Sequence, residues 1–179
     1  MESLQQKAVA KIKRIFWIIK NAPYVFRSSR IDMEGQINRR DCIALEKIIK
    51  MLPDNQWDMM RVVEVGSWKG RSTSIIARTV GRGGGLVYAV DPWQGSIGAW
   101  CYSVAQQNDI YTIFLHNMEA LHMVNIVPIR MASEEASKQF KDLTLDMVFI
   151  DADHRYTPFV TDLRVWLPKI KKGGIICGH

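Results

Sequence analysis

The chain has 179 residues, a formal net charge of +6 and a hydrophobic fraction of 47%. This length suits one domain, and this composition excludes a disordered tail, a collagen-like repeat and a disulfide-stapled miniprotein. In the first segment the longest apolar run covers only residues 15–19, too short for a membrane-spanning helix or the core of a signal peptide. We therefore expect a cytoplasmic protein.

The positive charge is concentrated at the start of the chain. Residues 1–30 carry seven basic side chains and one acidic side chain, whereas residues 31–179 carry 17 of each. A neutral domain does not favour a nucleic-acid partner, which would require basic residues over one face. The three cysteines, Cys42, Cys101 and Cys177, form no CxxC pair, so we expect reduced thiols rather than a zinc site or a disulfide framework.

Residues 1–30 are predicted to form a basic amphipathic helix and a linker, ahead of a domain over residues 31–179. Apolar side chains recur at spacings of three and four on one face of the helix, and basic side chains lie on another. Residues 7–20 could contact an anionic membrane surface or a partner. The commoner arrangement is docking on the domain or on a second copy of the chain, so a homo-oligomer is one expectation.

Helices and strands alternate from residue 39 onwards. Apolar periodicity predicts helices over residues 39–51, 72–80, 109–123 and 134–140, and a last helix capped by Thr157, with Pro158 in its first turn. Short apolar runs predict strands over residues 61–65, 86–90, 126–130, 145–150 and 174–177, whereas residues 94–103 are predicted to be irregular. The fold class is therefore α/β: a Rossmann-like, doubly wound, mainly parallel sheet with strand order 3-2-1-4-5 and helices on both faces.

Ligands of such sheets bind beyond the carboxyl ends of the strands. Gly66 and Gly70 follow the first strand at a G-x-x-x-G spacing; Gly66 permits a tight turn, and Gly70 lets a ligand approach the next helix. The middle glycine of a dinucleotide fingerprint is missing, and Glu64 would repel a pyrophosphate but attract an ammonium group. This pattern disfavours an NAD-linked oxidoreductase and favours a ligand with a cationic amino-acid end.

Acidic residues follow two further strands. Asp91 stands 25 residues beyond Gly66, where a carboxylate accepts both hydroxyls of a ribose or caps the turn before Pro92. Asp151 and His154 follow the fourth strand, three residues apart. They could bind a divalent metal together, or Asp151 could hold His154 as a general base; a solvated acidic turn is the alternative.

Several motifs in the same order carry a family resemblance. VVEVGSWKGRST, AVDPWQG and DMVFIDADHRY, followed by LPKIKKGGIICGH, resemble class I S-adenosylmethionine-dependent methyltransferases, in the branch of macrolide-sugar O-methyltransferases and cephalosporin-hydroxylase-like proteins. The resemblance covers residues 35–179. It implies S-adenosylmethionine as cofactor, a small-molecule or sugar hydroxyl as acceptor and, in the metal-dependent members, Mg²⁺.

The resemblance also implies roles for the residues that match its motifs. Those around the methionine part of the cofactor would be Glu64, Gly66, Ser67 and Gly70. Asp91 would hold the ribose, Trp93 would lie beside the adenine, and Ser133 would contact the adenine end. Trp68 departs from the pattern, because many methyltransferases have a third glycine in its place.

A metal site is implied as well. In the metal-dependent members, the position of Asp151 binds magnesium and that of His154 is the general base. His179 aligns with the first residue of a pair whose second member, an aspartate, completes the metal site. The resemblance implies that this aspartate and two more strands follow, so we expect a domain incomplete at its C-terminus, with the apolar fifth strand as an exposed edge.

Two functional hypotheses follow. The first is an O-methyltransferase that uses S-adenosylmethionine and Mg²⁺, and the second is a catalytically silent cofactor-binding domain that acts through its basic N-terminal helix. An NAD-linked oxidoreductase is a distant third. Residues 94–103, with Trp100 and Tyr102, would form either a lid on the acceptor side or aromatic packing over the sheet edge.

Overall fold

The computed structural model describes residues 33–35, 37–52 and 59–179, so the helix predicted within residues 1–30 lies outside the described residues. The helices are α1 (Arg39–Ile49), α2 (Arg71–Gly81), α3 (Trp100–Gln107), α4 (Ile110–Ala120), α5 (Ser133–Ser137) and α6 (Tyr156–Trp166), followed by a 3-10 turn (Leu167–Lys169). The strands are β1 (Arg61–Val65), β2 (Leu86–Val90), β3 (Ile126–Ile129), β4 (Leu145–Ile150) and β5 (Ile170–Gly178).

These five strands form one sheet in the order β3-β2-β1-β4-β5, and every pairing is parallel. The predicted fold class and strand order are therefore confirmed. Side chains alternate along β1 into two separate cores. Val62 enters the core beneath α1, α2 and α4, whereas Val63 enters the core beneath α5 and α6. Helices on both faces explain why the central strands are apolar almost throughout.

Two helix predictions are corrected. Helix α3 begins within the segment predicted to be irregular, and it has no fully buried side chain, so its sequence lacks the apolar stripe that reveals a helix. Helix α6 begins at Tyr156 behind Arg155. Thr157, predicted as the cap, lies inside the first turn together with Pro158, because Arg155 occupies the cap position.

Strand β5 begins at Ile170, ahead of the predicted start at residue 174. Its first half is charged and glycine-rich, which hides the strand signal. Lys171 is accommodated there because its Nζ donates to Oδ1 of the buried Asp146 at 2.7 Å. The pairing with β4 shifts register in the same region.

Strand β5 is an edge of the described sheet, as predicted. Its apolar side chains are half-buried rather than exposed, since Ile175 and Cys177 pack on one core and Ile176 packs on the other. The apolar edge strand is therefore partly covered by the two cores. Within the described part of the chain, no helix is long and apolar enough to cross a bilayer.

Candidate functional site

The register of the sheet ends β1, β2, β4 and β5 at one level. The residues that follow these strands therefore lie side by side: Gly66, Asp91, Asp151 and His179. The main-chain amide of Asp151 donates to the Val65 carbonyl at 2.8 Å, and that of His179 donates to the Ile150 carbonyl at 3.1 Å. The candidate residues taken from separate strand ends thus belong to one edge of the sheet.

A cavity of about 470 Å³ lies at this edge, within the usual size range of cofactor sites. The loops after β1, β2, β3 and β4 form it, together with the chain ahead of α1. Five predicted site residues line it: Gly66, Ser67, Asp91, Ser133 and Asp151. The other predicted residues lie outside its lining: Glu64, Gly70, Trp93, His154 and His179.

The loop after β1, residues 66–70 and called the β1 loop below, is packed tightly against the protein. Gly66 has a φ of 90°, and a Cβ there would run into the main chain of Asp151. Gly70 has a φ of 88°, and a Cβ there would run into Met118 and Phe114 of α4. Gly70 therefore packs closely on α4, and the prediction that it also lets a ligand approach the helix stays a prediction.

Glu64 lies beneath the β1 loop. Its side chain is fully buried and accepts a hydrogen bond from the Thr73 hydroxyl of α2. Burial raises the pKa of Glu64 to about 7, although the hydroxyls of Ser72, Thr73 and Ser67 oppose this shift. A buried and partly neutral carboxyl outside the cavity lining is not placed to attract a ligand's ammonium group directly, which corrects that prediction.

Asp91 organises the turn after β2 and also lines the cavity. Its Oδ1 accepts from the Trp93 amide at 2.5 Å and its Oδ2 from the Trp68 amide at 2.8 Å. Burial raises the pKa of Asp91, and these amides oppose the shift. The turn-capping alternative is therefore confirmed. Ribose binding stays a prediction compatible with it, since each carboxylate oxygen has a further lone pair.

Trp93 faces the core. Its indole packs against Tyr111 and Phe114, with ring centroids 4.7 and 4.9 Å away, and its Nε1 donates to the Trp68 carbonyl at 2.7 Å. The residue has a φ of 56°, a left-handed conformation that turns the chain sharply after β2. The ring is thereby placed among the α4 side chains rather than in the cavity lining, and its predicted place beside the adenine stays a prediction.

Ser133 reaches the cavity from the start of α5, at the end formed by the loop after β3. Its hydroxyl accepts a hydrogen bond from Trp166 Nε1 at 2.8 Å. Asp162 of α6 is buried and lines the same cavity; burial raises its pKa, and a hydrogen bond from Ser133 opposes the shift. This placement suits the predicted adenine end, and contact with adenine stays a prediction.

The charged residues in the cavity wall that were not predicted as site residues include Glu34, Lys69 and Asp162. The motif assigns no role to Lys69, Glu34 precedes α1, and Asp162 lies in the middle of α6. Only their tertiary placement brings them to the cavity. A lysine between the two glycines of the motif was the one available signal.

Asp151, His154 and His179, called the histidine cluster below, meet beside the cavity. His154 Nε2 lies 3.3 Å and His179 Nδ1 lies 3.4 Å from Oδ1 of Asp151. One ligand atom from each residue lies within 4.8 Å of the others. His179 Nε2 also lies 3.5 Å from Oδ2 of Asp41 in α1. Burial raises the pKa of Asp151, and the two histidines oppose the shift.

The histidine cluster has a donor set that fits a divalent metal ion. One carboxylate oxygen and two imidazole nitrogens converge, and imidazole donors suit first-row transition ions such as Fe²⁺ or Zn²⁺. Mg²⁺ prefers a shell of oxygens, so the two histidines make it the less suitable ion. The structure brings the predicted metal ligands, Asp151 and His179, together with the predicted base, His154.

A protein-family model described as a methyltransferase domain matches residues 63–179, from β1 to the last residue. The chain belongs to this methyltransferase family. The uncharacterized protein y4gI from Sinorhizobium fredii is 27% identical over 122 residues, which are 66% of this chain and 13% of that protein. The methyltransferase chain thus spans only a small part of the length of this curated relative.

Solved structures share the fold of the methyltransferase. Rv0187 from MTB, solved with its cofactor bound, has 14% identity and a TM-score of 0.53 over 92% of this chain and 63% of that chain. The O-methyltransferase TomG from Streptomyces achromogenes, solved in complex with S-adenosylmethionine, has 13% identity and a TM-score of 0.56 over 79% and 55%. At these identities the likeness concerns the fold, and the predicted class I methyltransferase architecture is confirmed.

Proposed function

We propose that the methyltransferase binds S-adenosylmethionine in the cavity and methylates a hydroxyl group of a small molecule, with a sugar as the first candidate. The observation that carries the proposal is that the cavity and the histidine cluster share Asp151. A methyl donor in the cavity would therefore end beside a group that can take a proton. TomG, an O-methyltransferase of the same fold, was solved with S-adenosylmethionine, which supports the choice of donor.

Residues of the chain would hold and orient the donor. The β1 loop leaves main chain, rather than a side chain, at Gly66, and Asp91 offers carboxylate oxygens to ribose hydroxyls. When bound, S-adenosylmethionine supplies a methyl group on a positively charged sulfur. The task left to the protein is alignment of the acceptor oxygen with that methyl group and exclusion of water.

His154 would remove the proton of the acceptor hydroxyl. An ionised Asp151 can only accept, so the His154 nitrogen that faces it, Nε2, carries the hydrogen, and Nδ1 has the basic lone pair. The acceptor oxygen bonds to the methyl carbon while the carbon–sulfur bond breaks, its electron pair stays on sulfur, and the proton goes to Nδ1. The His154 side chain is 48% exposed, so an acceptor can reach it.

A divalent ion would bind at Asp151 and His179 and would favour ionisation of an acceptor hydroxyl near it. Mg²⁺ is the ion that the resemblance implies, whereas the imidazole ligand, His179, favours a transition ion, with His154 left unbound as the base. Calorimetric titration of the chain with Mg²⁺, Mn²⁺ and Zn²⁺, and of a His179→Ala variant, would identify the ion. Absence of binding by all three would leave His154 as a base without a metal.

Thermal unfolding with S-adenosylhomocysteine, with NAD as the control, tests the cofactor assignment. Ligand at about 100 times its dissociation constant stabilises a protein by about 2.7 kcal/mol, which raises the melting temperature of a domain of this size by roughly 5–10 °C. A shift with S-adenosylhomocysteine alone would support the proposal. A cooperative transition that S-adenosylhomocysteine does not move would overturn it.

Transfer of a labelled methyl group to a panel of sugar and phenol hydroxyls separates catalysis from binding. Turnover that requires His154 would support the O-methyltransferase. Binding of S-adenosylhomocysteine without transfer to any acceptor, with or without added metal ions, would favour the catalytically silent domain instead.

A further inference from the structure

An ion pair lies in the wall of the cavity, outside the residues used above. Lys69 Nζ lies 3.1 Å from Oε2 of Glu34, and both residues line the cavity. The Lys69 side chain is only 4% exposed, whereas that of Glu34 is 66% exposed. A nearly buried ammonium group beside a cofactor cavity is costly to keep unless anionic groups surround it.

The main chain of Lys69 is held in place by contacts with α4. Its carbonyl accepts a hydrogen bond from Nδ2 of Asn117, a fully buried residue of α4, at 2.8 Å. Gly70, the next residue, is packed against Met118 of the same helix. The lysine therefore projects from a rigid part of the β1 loop, and a ligand meets a cation whose place is already set.

The charges at the two ends of the cavity differ. The end at α5 and α6 carries the carboxyl group of Asp162, whereas the cationic side chains of the described lining, Lys69 and Arg71, belong to the β1 loop and the start of α2. The end group of an α-amino acid carries one carboxylate and one ammonium. Only the Lys69 end offers both a cation and, in Glu34, an anion to such a group.

We propose that Lys69 binds the carboxylate and Glu34 binds the ammonium group of the cofactor's methionine part; this rests on the proposed function. The ion pair seen between the two side chains then exchanges for two ion pairs with the ligand. This assignment gives the methionine end a recognition site that Glu64, buried outside the cavity lining, does not provide.

Calorimetric titration with three ligands tests the proposal. S-adenosylhomocysteine has both charged groups, S-adenosyl-3-thiopropylamine lacks the carboxylate, and 5′-methylthioadenosine lacks both. Lys69→Met removes the ammonium and keeps most of the side-chain volume. Lys169→Met is a matched control, because Lys169 is also largely buried, at 18% exposure, and also pairs with an exposed carboxylate, that of Asp142, but lies outside the cavity lining.

Lys69→Met should lower the affinity for S-adenosylhomocysteine about 10- to 100-fold, the usual effect of losing a hydrogen bond to a charged group. It should leave the affinity for 5′-methylthioadenosine within about threefold of the wild-type value. Lys169→Met should leave the affinities for both ligands within the same limit. Equal weakening of both ligands, or an unchanged affinity for S-adenosylhomocysteine, would overturn the proposal. Failure of the wild-type chain to bind either ligand would instead overturn the proposed function.

A second variant keeps the test decisive if Lys69→Met does not fold. Glu34→Gln changes an exposed side chain, and it should abolish a preference of about 3- to 10-fold for S-adenosyl-3-thiopropylamine over 5′-methylthioadenosine. An unchanged preference would exclude Glu34. If Arg71→Met selectively lost affinity for S-adenosylhomocysteine while Lys69→Met kept the wild-type affinity, the carboxylate would be assigned to Arg71 and the role of Lys69 would be overturned.

Discussion

The β1 loop and the histidine cluster share one sheet edge but are held in different ways. In the β1 loop, protein atoms fill the space where side chains at Gly66 and Gly70 would lie, and Asp91 holds the Trp68 amide at 2.8 Å. In the histidine cluster, both imidazoles are partly exposed, and Asp151 contacts them at 3.3 and 3.4 Å. The first region is a packed interior, and the second is an open polar surface.

This difference separates two kinds of function. The half of the site proposed to bind the cofactor is held by packing, because its residues also hold the sheet edge together. The half proposed to face the acceptor consists of side chains with few packing contacts, and its two imidazoles are partly exposed. Substitutions near the β1 loop should therefore change stability and cofactor affinity, whereas substitutions in the histidine cluster should change turnover and leave the fold intact.

The largest expected effect belongs to the histidine cluster. His154→Ala should lower methyl transfer about 10²- to 10⁴-fold, the usual contribution of a general base, and leave the affinity for S-adenosylhomocysteine unchanged. Single-turnover transfer and calorimetry on the same preparation would measure the two quantities. His122→Ala, at an exposed histidine after α4, is the matched control and should change neither. Full activity in the His154 variant would exclude it as the base.

The next effect concerns Glu64, beneath the β1 loop. Its folded-state pKa of about 7 lies above the ordinary value of 4.5 because of burial. The folded chain therefore binds this proton more tightly than the unfolded chain, so stability falls as the pH rises from about 4.5 to 7 and stays lower above that. Glu64→Gln removes this loss, and its advantage over the wild type should grow by about 3 kcal/mol between pH 4.5 and 8.

Urea unfolding across this pH range would measure that difference. Glu46→Gln is the control, because Glu46 is exposed on α1 and its hydrogen bond from Lys50 lowers its pKa. Its pKa is lowered rather than raised, so Glu46→Gln should show no such growing advantage over the wild type as the pH rises. A flat difference for Glu64→Gln as well would show that Glu64 is ionised in the folded protein. Burial beneath the β1 loop would then not raise the pKa of this carboxyl group.

Most of the fold could be predicted because buried parallel strands are continuous apolar runs. The segments of β1, β2 and β4 stand out in this way apart from single charged residues such as Glu64 and Asp146, and their alternation with helices is typical of a doubly wound parallel sheet. Helix α3 could not be predicted, because it buries no side chain completely. The start of β5 could not be predicted either, because Lys171 is charged and becomes compatible with the sheet only through Asp146.

The site was predictable only where it follows strand ends. Asp91 and Asp151 sit directly after their strands, so the sequence places them at the cavity. Glu64 lies one residue inside the end of β1, paired with Ala89 and Phe149, and its side chain therefore enters the core beneath α2. Glu34 and Asp162 come from other elements, so no spacing along the chain brings them to the cavity.

Ribose recognition by Asp91 gives an intermediate effect. Because Asp91 also holds the Trp68 and Trp93 amides, Asp91→Ala would lower stability whether or not it binds a ribose. Altering the ligand avoids this ambiguity. The wild-type chain should bind the 2′-deoxy analogue of S-adenosylhomocysteine about 10-fold more weakly than S-adenosylhomocysteine itself, since a hydrogen bond to a charged group is lost. Equal affinity by calorimetry would leave Asp91 as a turn-capping residue alone.

The smallest effect decides whether Trp100, at the start of α3, is a lid or part of the packing. Its ring packs edge-on against that of Trp68, with ring centroids 5.7 Å apart, and both residues line the cavity. A lid predicts that Trp100→Ala weakens S-adenosylhomocysteine about 2- to 10-fold without changing the melting temperature of the ligand-free chain. Packing predicts a lower melting temperature and an unchanged affinity. Because Trp100 is partly exposed while Trp68 belongs to the β1 loop, we expect the affinity to change.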